Sequence, residues 1–209
     1  MNLLTLGVDP TMSTNLKRKV RLTNMVALLT LLIGVVYSGI LYLYFPSLVI
    51  YPLGCLVGSL VVLALNFYGA TTIARFICSF QMLLFTTLFH AYAIQPGEHV
   101  ITSLYLSQFA MGIIPFLLYD FKEKGELIAT LVICYAIILG QQGLNVLLDA
   151  PGVNADAYRE SILSPLTYFF AVVISVAGGA LISLGKSEKV SEVKKVNGVE
   201  LSENVYSSV

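Results

Sequence analysis

The chain of 209 residues is 57% apolar and only 11% charged, with a mean hydropathy of +0.84, whereas soluble domains are about one quarter charged. Twelve basic and twelve acidic residues give zero net charge, which leaves no global field to attract nucleic acid. These values exclude an ordinary soluble domain. They predict an all-α, polytopic membrane protein whose partner is the lipid bilayer.

Six apolar stretches are long enough to span a bilayer, whose hydrocarbon core takes about 20 helical residues. In chain order they are 23–45, 48–66, 73–94, 101–119, 127–148 and 165–184. Pro52 leaves the start of the second stretch ambiguous. We therefore expect a bundle of six transmembrane helices in residues 22–185, between a cytoplasmic N-terminal segment (1–21) and a cytoplasmic tail or truncated signalling linker (186–209).

The basic residues predict the orientation, because Lys and Arg near span ends are retained on the cytoplasmic side. With the N-terminus inside, eleven of the twelve basic residues fall on the cytoplasmic side and only Arg159 falls outside. The eleven are Lys17, Arg18, Lys19, Arg21, Arg75, Lys122, Lys124, Lys186, Lys189, Lys194 and Lys195. A missed or additional helix would scramble this alternation. We therefore predict a multi-pass protein of the bacterial inner (plasma) membrane with both termini in the cytoplasm.

The spans hold few groups that could perform chemistry. Their inner parts contain no charged residue, and unbroken helices are expected, whereas ion-coupled transporters place a carboxylate or a broken helix near the midplane. Arg75 is expected to extend from the inner end of the third span to the headgroups. His90 and His99 are too few for a metal site, and the isolated cysteines are interpreted as small packing residues (Cys55, Cys78 and Cys134). We expect no enzyme activity, no cofactor and no metal.

Uncharged polar side chains concentrate in the predicted outer half of the membrane. The candidate ligand-binding residues are Tyr37, His90, Tyr105, Gln108, Gln141, Gln142, Asn145 and Tyr168. One interpretation is a ligand cavity open to the periplasm or to the outer leaflet. The other is that these side chains hold the helices together by interhelical hydrogen bonds. The sequence leaves both interpretations open.

Small residues recur at a spacing of four, which lets helix backbones approach closely. Gly54 and Gly58 form one such pair. On the sixth span, Ser175, Gly179 and Ser183 continue the spacing over two turns and lead into the tail. This face is predicted to be either an internal contact or a homodimer seam that transmits a signal to the cytoplasm.

Two segments resemble a known family. They are Leu-Asn-Phe-Tyr-Gly at 65–69 with Ala-Arg at 74–75, and the stretch at 114–127 that contains Pro-Phe-Leu-Leu-Tyr-Asp-Phe-Lys-Glu. Together they resemble the six-span input modules of some bacterial sensor histidine kinases and adenylate or diguanylate cyclases, particularly from the Bacteroidetes, over residues 15–185. The resemblance implies two-component-type signal transduction, in which the last helix drives a cytoplasmic kinase or cyclase as a dimer. It covers no kinase or cyclase segment, so no catalytic residue is carried over.

The sequence thus predicts a membrane-embedded sensory or signal-input module that relays a membrane or extracellular stimulus through its sixth helix. A small-solute transporter or permease subunit is the first alternative. A passive membrane anchor is the second. The stimulus itself is not readable from the residues.

Overall fold

The computed structural model describes residues 2–94, 101–148 and 155–182, which are helical and contain no strand. The all-α prediction is therefore confirmed. The predictions for His99, Ser183 and the tail fall outside the described residues. The helices are α1 (Thr14–Tyr44), α2 (Ile50–Phe67), α3 (Thr71–Ala93), α4 (Thr102–Met111), α5 (Ile114–Leu118), α6 (Lys124–Leu139), α7 (Gln141–Leu148), α8 (Ala155–Glu160) and α9 (Leu163–Ile182).

Helix α3 lies at the centre of the bundle and contacts α1, α2, α4, α5, α6 and α7. Its start lies beside the end of α5, where Arg75 Nη1 donates to Leu118 O. Its end lies beside α7, where Asn145 Nδ2 donates to Ala91 O. We call the end of the bundle at which α1 and α3 begin the near end. The opposite end, at which both helices finish, is called the far end.

Four helical stretches in the described ranges are long and apolar enough to cross a membrane, judged by length and composition. They are Thr14–Tyr44, Pro46–Phe67, Thr71–Ala93 and Leu163–Ile182. The other two predicted spans correspond to the pairs α4–α5 and α6–α7, each of which is interrupted. The structure thus supports a membrane protein. Four of the six predicted spans are present as helices of sufficient length, and the number six stays a prediction.

The interruptions occur at Gly112–Ile113 and at Gly140, and both keep right-handed backbone angles. Pro115 has no N–H to donate to the carbonyl four residues earlier, which weakens the α4–α5 junction. Gly140 has no Cβ and adopts φ −72° and ψ −8° between α6 and α7. The fourth and the fifth segments are therefore locally irregular helices rather than the regular spans that the sequence predicts, although Leu144 N still donates to Gly140 O across the second junction.

Helix α2 shows why Pro52 is tolerated and how the small residues pack. Pro52 lies in the first turn of α2, where a backbone N–H has no intrahelical acceptor. A Cβ on Gly54 would lie 2.2 Å from Phe85 Cε1, and one on Gly58 would lie 2.4 Å from Gln81 Oε1. The predicted close approach through Gly54 and Gly58 is thus confirmed as a contact with α3. The three cysteines are buried and unpaired, as their interpretation as packing residues requires.

The small-residue face predicted on the last span differs from the face that α9 buries. Ser175 is exposed, and a Cβ on Gly179 would meet nothing within 4 Å. The neighbouring Gly178 is buried, and its Cβ would lie 2.6 Å from Ile113 Cγ2. The internal contact of α9 therefore runs through Gly178. A homodimer seam at Ser175 and Gly179 remains a prediction.

The N-terminal segment folds onto the near end of the bundle. Asn24 Nδ2 donates to Leu4 O at 3.3 Å and to Leu6 O at 2.8 Å, and Asn66 Nδ2 donates to Asn24 Oδ1 at 2.7 Å. Gly7 has φ +75°, and a Cβ there would lie 1.9 Å from Asn66 O. Two fully buried asparagines and one glycine therefore fix this segment against α1 and α2.

Candidate functional site

A cavity lies in the far half of the bundle between α1, α2, α3, α4 and α9. Its cavity volume is about 70 Å³. Among the described residues its wall contains no charged side chain and is mainly apolar, with Ile33, Phe85, Phe89, Met111, Phe170 and Ile174 among its members. Ligand pockets commonly combine such apolar walls with a few polar groups that orient the ligand. The cavity is therefore suited to a lipophilic molecule.

A hydroxyl relay joins α1 to α9 at this cavity. Tyr37 OH lies 2.8 Å from Thr167 Oγ1, and Tyr158 OH lies 3.0 Å from the same oxygen. Thr167 Oγ1 donates its hydrogen to Leu163 O at 2.7 Å. Because a hydroxyl has one hydrogen, both tyrosines must donate to Thr167. Tyr37 was a sequence candidate, whereas Thr167 and Tyr158 were missed; the contact of Thr167 with Tyr37 joins residues 130 apart in the chain.

A second group of predicted residues forms what we call the amide cluster, defined as Thr87, His90, Gln108 and Gln141. Gln108 Nε2 donates to Thr87 Oγ1 at 3.1 Å and to Gln141 Oε1 at 3.0 Å. His90 is fully buried and packs edge-on against Tyr105, with ring centroids 4.9 Å apart. The structure thus brings four of the eight candidate residues together between α3, α4 and α7.

The amide cluster is only partly satisfied by protein groups. Within the described residues, the ring nitrogens of His90 and Oε1 of Gln108 make no well-formed hydrogen bond, although the imidazole lies close to the side chains of Gln108 and Gln141. Native proteins pair most buried polar atoms, so each exception calls for an explanation. The hydrogen bonds of Gln108 support the interpretation that these residues hold the helices together. His90 is still compatible with the interpretation that they bind a ligand.

The remaining candidates are separated from the cavity and from the amide cluster. Asn145 Nδ2 donates to Ala91 O at 2.7 Å and to Ile94 O, and so satisfies carbonyls at the end of α3. Tyr168 is 39% exposed on α9. Gln142 lies on α7, and its side chain is outside the described part of the structure. Asn145 therefore fits the adhesive interpretation.

The near end holds an ion cluster, defined as Lys19, Arg75, Asp120 and Glu123. Lys19 Nζ lies 2.7 Å from Glu123 Oε2 and 3.1 Å from Asp120 Oδ2. Arg75 Nη1 lies 3.0 Å from Glu123 Oε1. The side chains of Lys19 and Arg75 are only 11% and 7% exposed. The expectation that Arg75 extends to the headgroups is therefore wrong, because its guanidinium turns inward to a carboxylate.

Further contacts fix the acidic side of the ion cluster. The Arg75 guanidinium carbon lies 5.2 Å from the Tyr119 ring centroid, and the Asp120 N–H donates to Glu123 Oε2 at 3.0 Å. Burial disfavours the charged form of Glu123, but hydrogen bonds from Lys19, Asp120 and Arg75 outweigh it and lower its pKa. The cluster therefore ties α1 and α3 to the α5–α6 connection. The two segments that carry the family resemblance meet here, at Arg75 and at residues 118–123.

Comparison of the chain with protein-family models, with curated proteins and with solved structures finds no match. The resemblance to kinase and cyclase input modules therefore stays a prediction. Within the described ranges, no group of three or more His, Cys, Asp or Glu residues could hold a metal ion. The function must accordingly be argued from the cavity, the amide cluster and the ion cluster.

Proposed function

We propose that the chain is a membrane-embedded sensory module with six spans, both termini in the cytoplasm and a ligand site in the far-half cavity. Occupancy of the cavity shifts α9, which relays the change to a cytoplasmic kinase or cyclase. That output domain is either joined to the tail or carried by a separate partner, and the module works as a homodimer.

One observation carries this proposal, namely that α9 forms a wall of the cavity. Thr167, Phe170, Ala171 and Ile174 line the cavity and follow helical spacing over two turns of α9. A ligand there contacts the helix that leads to the tail. A ligand can shift a conformational equilibrium only through contacts that differ between the two states, and we infer that contacts with the α9 wall differ in this way.

Charge supports the orientation and the number of spans. The near end holds Lys19 and Arg75, and eleven of the twelve basic residues belong to the predicted cytoplasmic side. The interrupted pairs α4–α5 and α6–α7 supply the fourth and fifth spans. Under this orientation, the cavity lies in the outer half of the membrane.

A disulfide trap measures the movement of α9. The Cβ of a residue at Gly178 would lie 3.8 Å from Ile113 Cβ, which is within the range of protein disulfides. The pair Ile113→Cys with Gly178→Cys is made in a background without the native cysteines, and its oxidation rate is measured in lipid nanodiscs. An organic extract of bacterial membranes and culture medium should change this rate several-fold.

A filled cavity provides the control. Ala171 is buried on the α9 wall, and Ala171→Phe adds a ring there. In this variant the oxidation rate should no longer respond to the extract. An identical response in both proteins, or none in either, would overturn the relay through the cavity.

A small-solute transporter is the second candidate, and the interruptions at Gly112–Ile113 and Gly140 favour it. Transporters often form their substrate sites at broken helices. Uptake of labelled small solutes into proteoliposomes distinguishes the two functions, because a sensory module should transport none of them. Transport that Ala171→Phe abolishes would replace the sensory proposal.

A further inference from the structure

We propose that the far-half cavity selects an uncharged alkyl compound whose polar head donates a hydrogen bond, with medium-chain alcohols as the simplest members of the class. This inference rests on the proposed function, since it assigns a ligand class to the same cavity. It follows from the direction of the hydrogen bonds around the wall.

The hydroxyl relay has no hydrogen left for a ligand. Thr167 donates to Leu163 O, and Tyr37 donates to Thr167. The single hydrogen of each hydroxyl is therefore committed. Lone pairs on Tyr37 OH remain, so the relay can accept a hydrogen bond from a ligand but cannot donate one.

The other hydroxyls deep in the wall are committed in the same way. Thr30 Oγ1 donates to Val26 O at 2.9 Å, and Ser107 Oγ donates to Leu104 O at 2.7 Å. These are bonds to the preceding turn of the same helix, a common arrangement for Ser and Thr inside helices. Thr86 Oγ1 likewise faces a sulfur acceptor on the neighbouring helix. The hydroxyls of the inner wall consequently present acceptors only, and the thiol of Cys55 adds a weak donor beside them.

Tyr51 differs from these hydroxyls. It is partly exposed, and its hydroxyl makes no hydrogen bond within the described part of the chain. Tyr51 can therefore donate or accept at the more open part of the cavity. The choice between donor and acceptor heads is made by the deeper hydroxyls of Thr30, Tyr37 and Ser107.

Charged heads are disfavoured by the same wall. Among the residues that the structure describes, no Lys, Arg, Asp or Glu lines the cavity. An ionised carboxylate would lose its hydration and find neither a counterion nor a strong donor on the inner wall, which is costly. An ester, which can only accept hydrogen bonds, loses less hydration free energy than a carboxylate but gains no hydrogen bond on the inner wall. An alcohol keeps its donor paired and places its alkyl chain against the aromatic and aliphatic wall.

Three photoreactive probes with one carbon skeleton test the selection. They are decanol, methyl decanoate and decanoate, each carrying a diazirine at the same chain position. The protein is labelled in lipid nanodiscs, and the adducts are mapped by mass spectrometry. Decanol should label cavity residues about fivefold more than methyl decanoate, as one hydrogen bond implies. Decanoate should label them least.

Two variants change the hydrogen-bond direction. Thr167→Val removes the acceptor of Tyr37, which frees that hydroxyl to donate, so methyl decanoate labelling should rise to match decanol. Tyr37→Phe removes an acceptor and should lower decanol labelling alone. Thr23→Val is the matched control, because Thr23 donates to Lys19 O at 2.8 Å and does not line the cavity. Its labelling pattern should equal that of the unmodified protein.

The outcomes separate this inference from the proposed function. Equal labelling of the cavity by all three probes, or an unchanged preference in both Thr167→Val and Tyr37→Phe, overturns the ligand class and leaves the cavity as a ligand site. Absence of cavity labelling by every probe removes the ligand site itself, and the proposed sensory function with it.

Discussion

The two ends of the bundle solve the problem of buried polarity differently. At the near end, Lys19 and Arg75 are buried and each contacts a carboxylate at about hydrogen-bond distance. At the far end, the buried groups of the amide cluster are uncharged, and the cavity lies in the same half of the bundle. Within the described residues, buried atoms without a hydrogen-bond partner occur at both ends, on Arg75 and Asn66 at the near end and on His90 and Gln108 at the far end. The near end is therefore held by ion pairs, whereas the far end is held by uncharged groups beside a cavity.

The difference has a physical cause. A buried charge without a partner is far more costly than an unpaired amide or imidazole, so a charged cluster must be completed by the fold itself. Uncharged polar groups can remain partly unpaired at a cost of a few kcal/mol each. Variants at the two ends should therefore respond differently, with the largest losses of stability at the near end.

Removal of the central carboxylate should have the largest effect. Glu123→Gln leaves Arg75 and Lys19 with a weaker acceptor and should lower the free energy of unfolding by about 3 kcal/mol. Unfolding in detergent–SDS mixtures, followed by circular dichroism, measures this loss. Asp156→Asn is the matched control, because the Asp156–Arg159 pair is largely exposed and should contribute little. Equal losses in both variants would show that the ion cluster does not close the near end.

A substitution that disturbs the docking of the N-terminal segment should give the second-largest loss of stability. Gly7→Ala combines a left-handed φ with a Cβ 1.9 Å from Asn66 O and should cost about 2 kcal/mol of segment docking. Hydrogen exchange of residues 2–12 should rise accordingly. Gly69 also has a left-handed φ of +80° but open space around a Cβ, so Gly69→Ala should cost only about 1 kcal/mol. The same exchange rates in both variants would argue against a tight contact at Asn66.

The amide cluster should give a smaller and asymmetric effect. Gln108→Leu removes hydrogen bonds to Thr87 and Gln141 and should lower stability by about 1 kcal/mol, in line with interhelical bonds in membranes. His90→Leu should cost less than Gln108→Leu, because the His90 ring nitrogens make no well-formed hydrogen bond to Gln108 or Gln141. The same detergent–SDS unfolding measures both. A larger loss for His90→Leu than for Gln108→Leu would contradict the asymmetry.

Acid should act on the same ion cluster as Glu123→Gln and should weaken the near end only at low pH. The pKa of Glu123 lies below its ordinary value of 4.5 in the folded protein, so the unfolded chain takes up the proton first as the pH falls. The stabilisation is complete above pH 4.5 and is lost as the pH falls through the folded-state pKa. Thermal unfolding should therefore show the unmodified protein approaching Glu123→Gln in stability at low pH. A constant difference between them would exclude this linkage.

Sequence patterns predicted the helices well because hydrophobic length dominates their placement. The stretches at 23–45 and 73–94 correspond to α1 and α3, and Gly54 and Gly58 mark a close contact that the structure contains. The junctions at Gly112–Ile113 and Gly140 were not predicted. Glycine and proline weaken a helix locally, but whether it breaks depends on neighbouring helices.

The candidate site was predicted only in part. His90, Gln108 and Gln141 were identified by type and depth, and three helices bring them together. Thr167 gave no signal, since a Thr hydroxyl on an apolar helix is usually satisfied by its own backbone. Tyr158 gave none because it lies in the short polar helix α8, outside the predicted spans. Their relay to Tyr37 depends on the packing of α1 against α9.

Composition and helix-length periodicity by themselves determined that this chain is an apolar, all-helical membrane protein, because these properties depend on residues that are close in sequence. The tertiary structure alone decided that Arg75 turns inward to Glu123, that α9 buries Gly178, and that a cavity opens between the first and last helices. Each of these depends on which helix faces meet across many residues, and the energies of alternative packings differ too little to be read from local patterns.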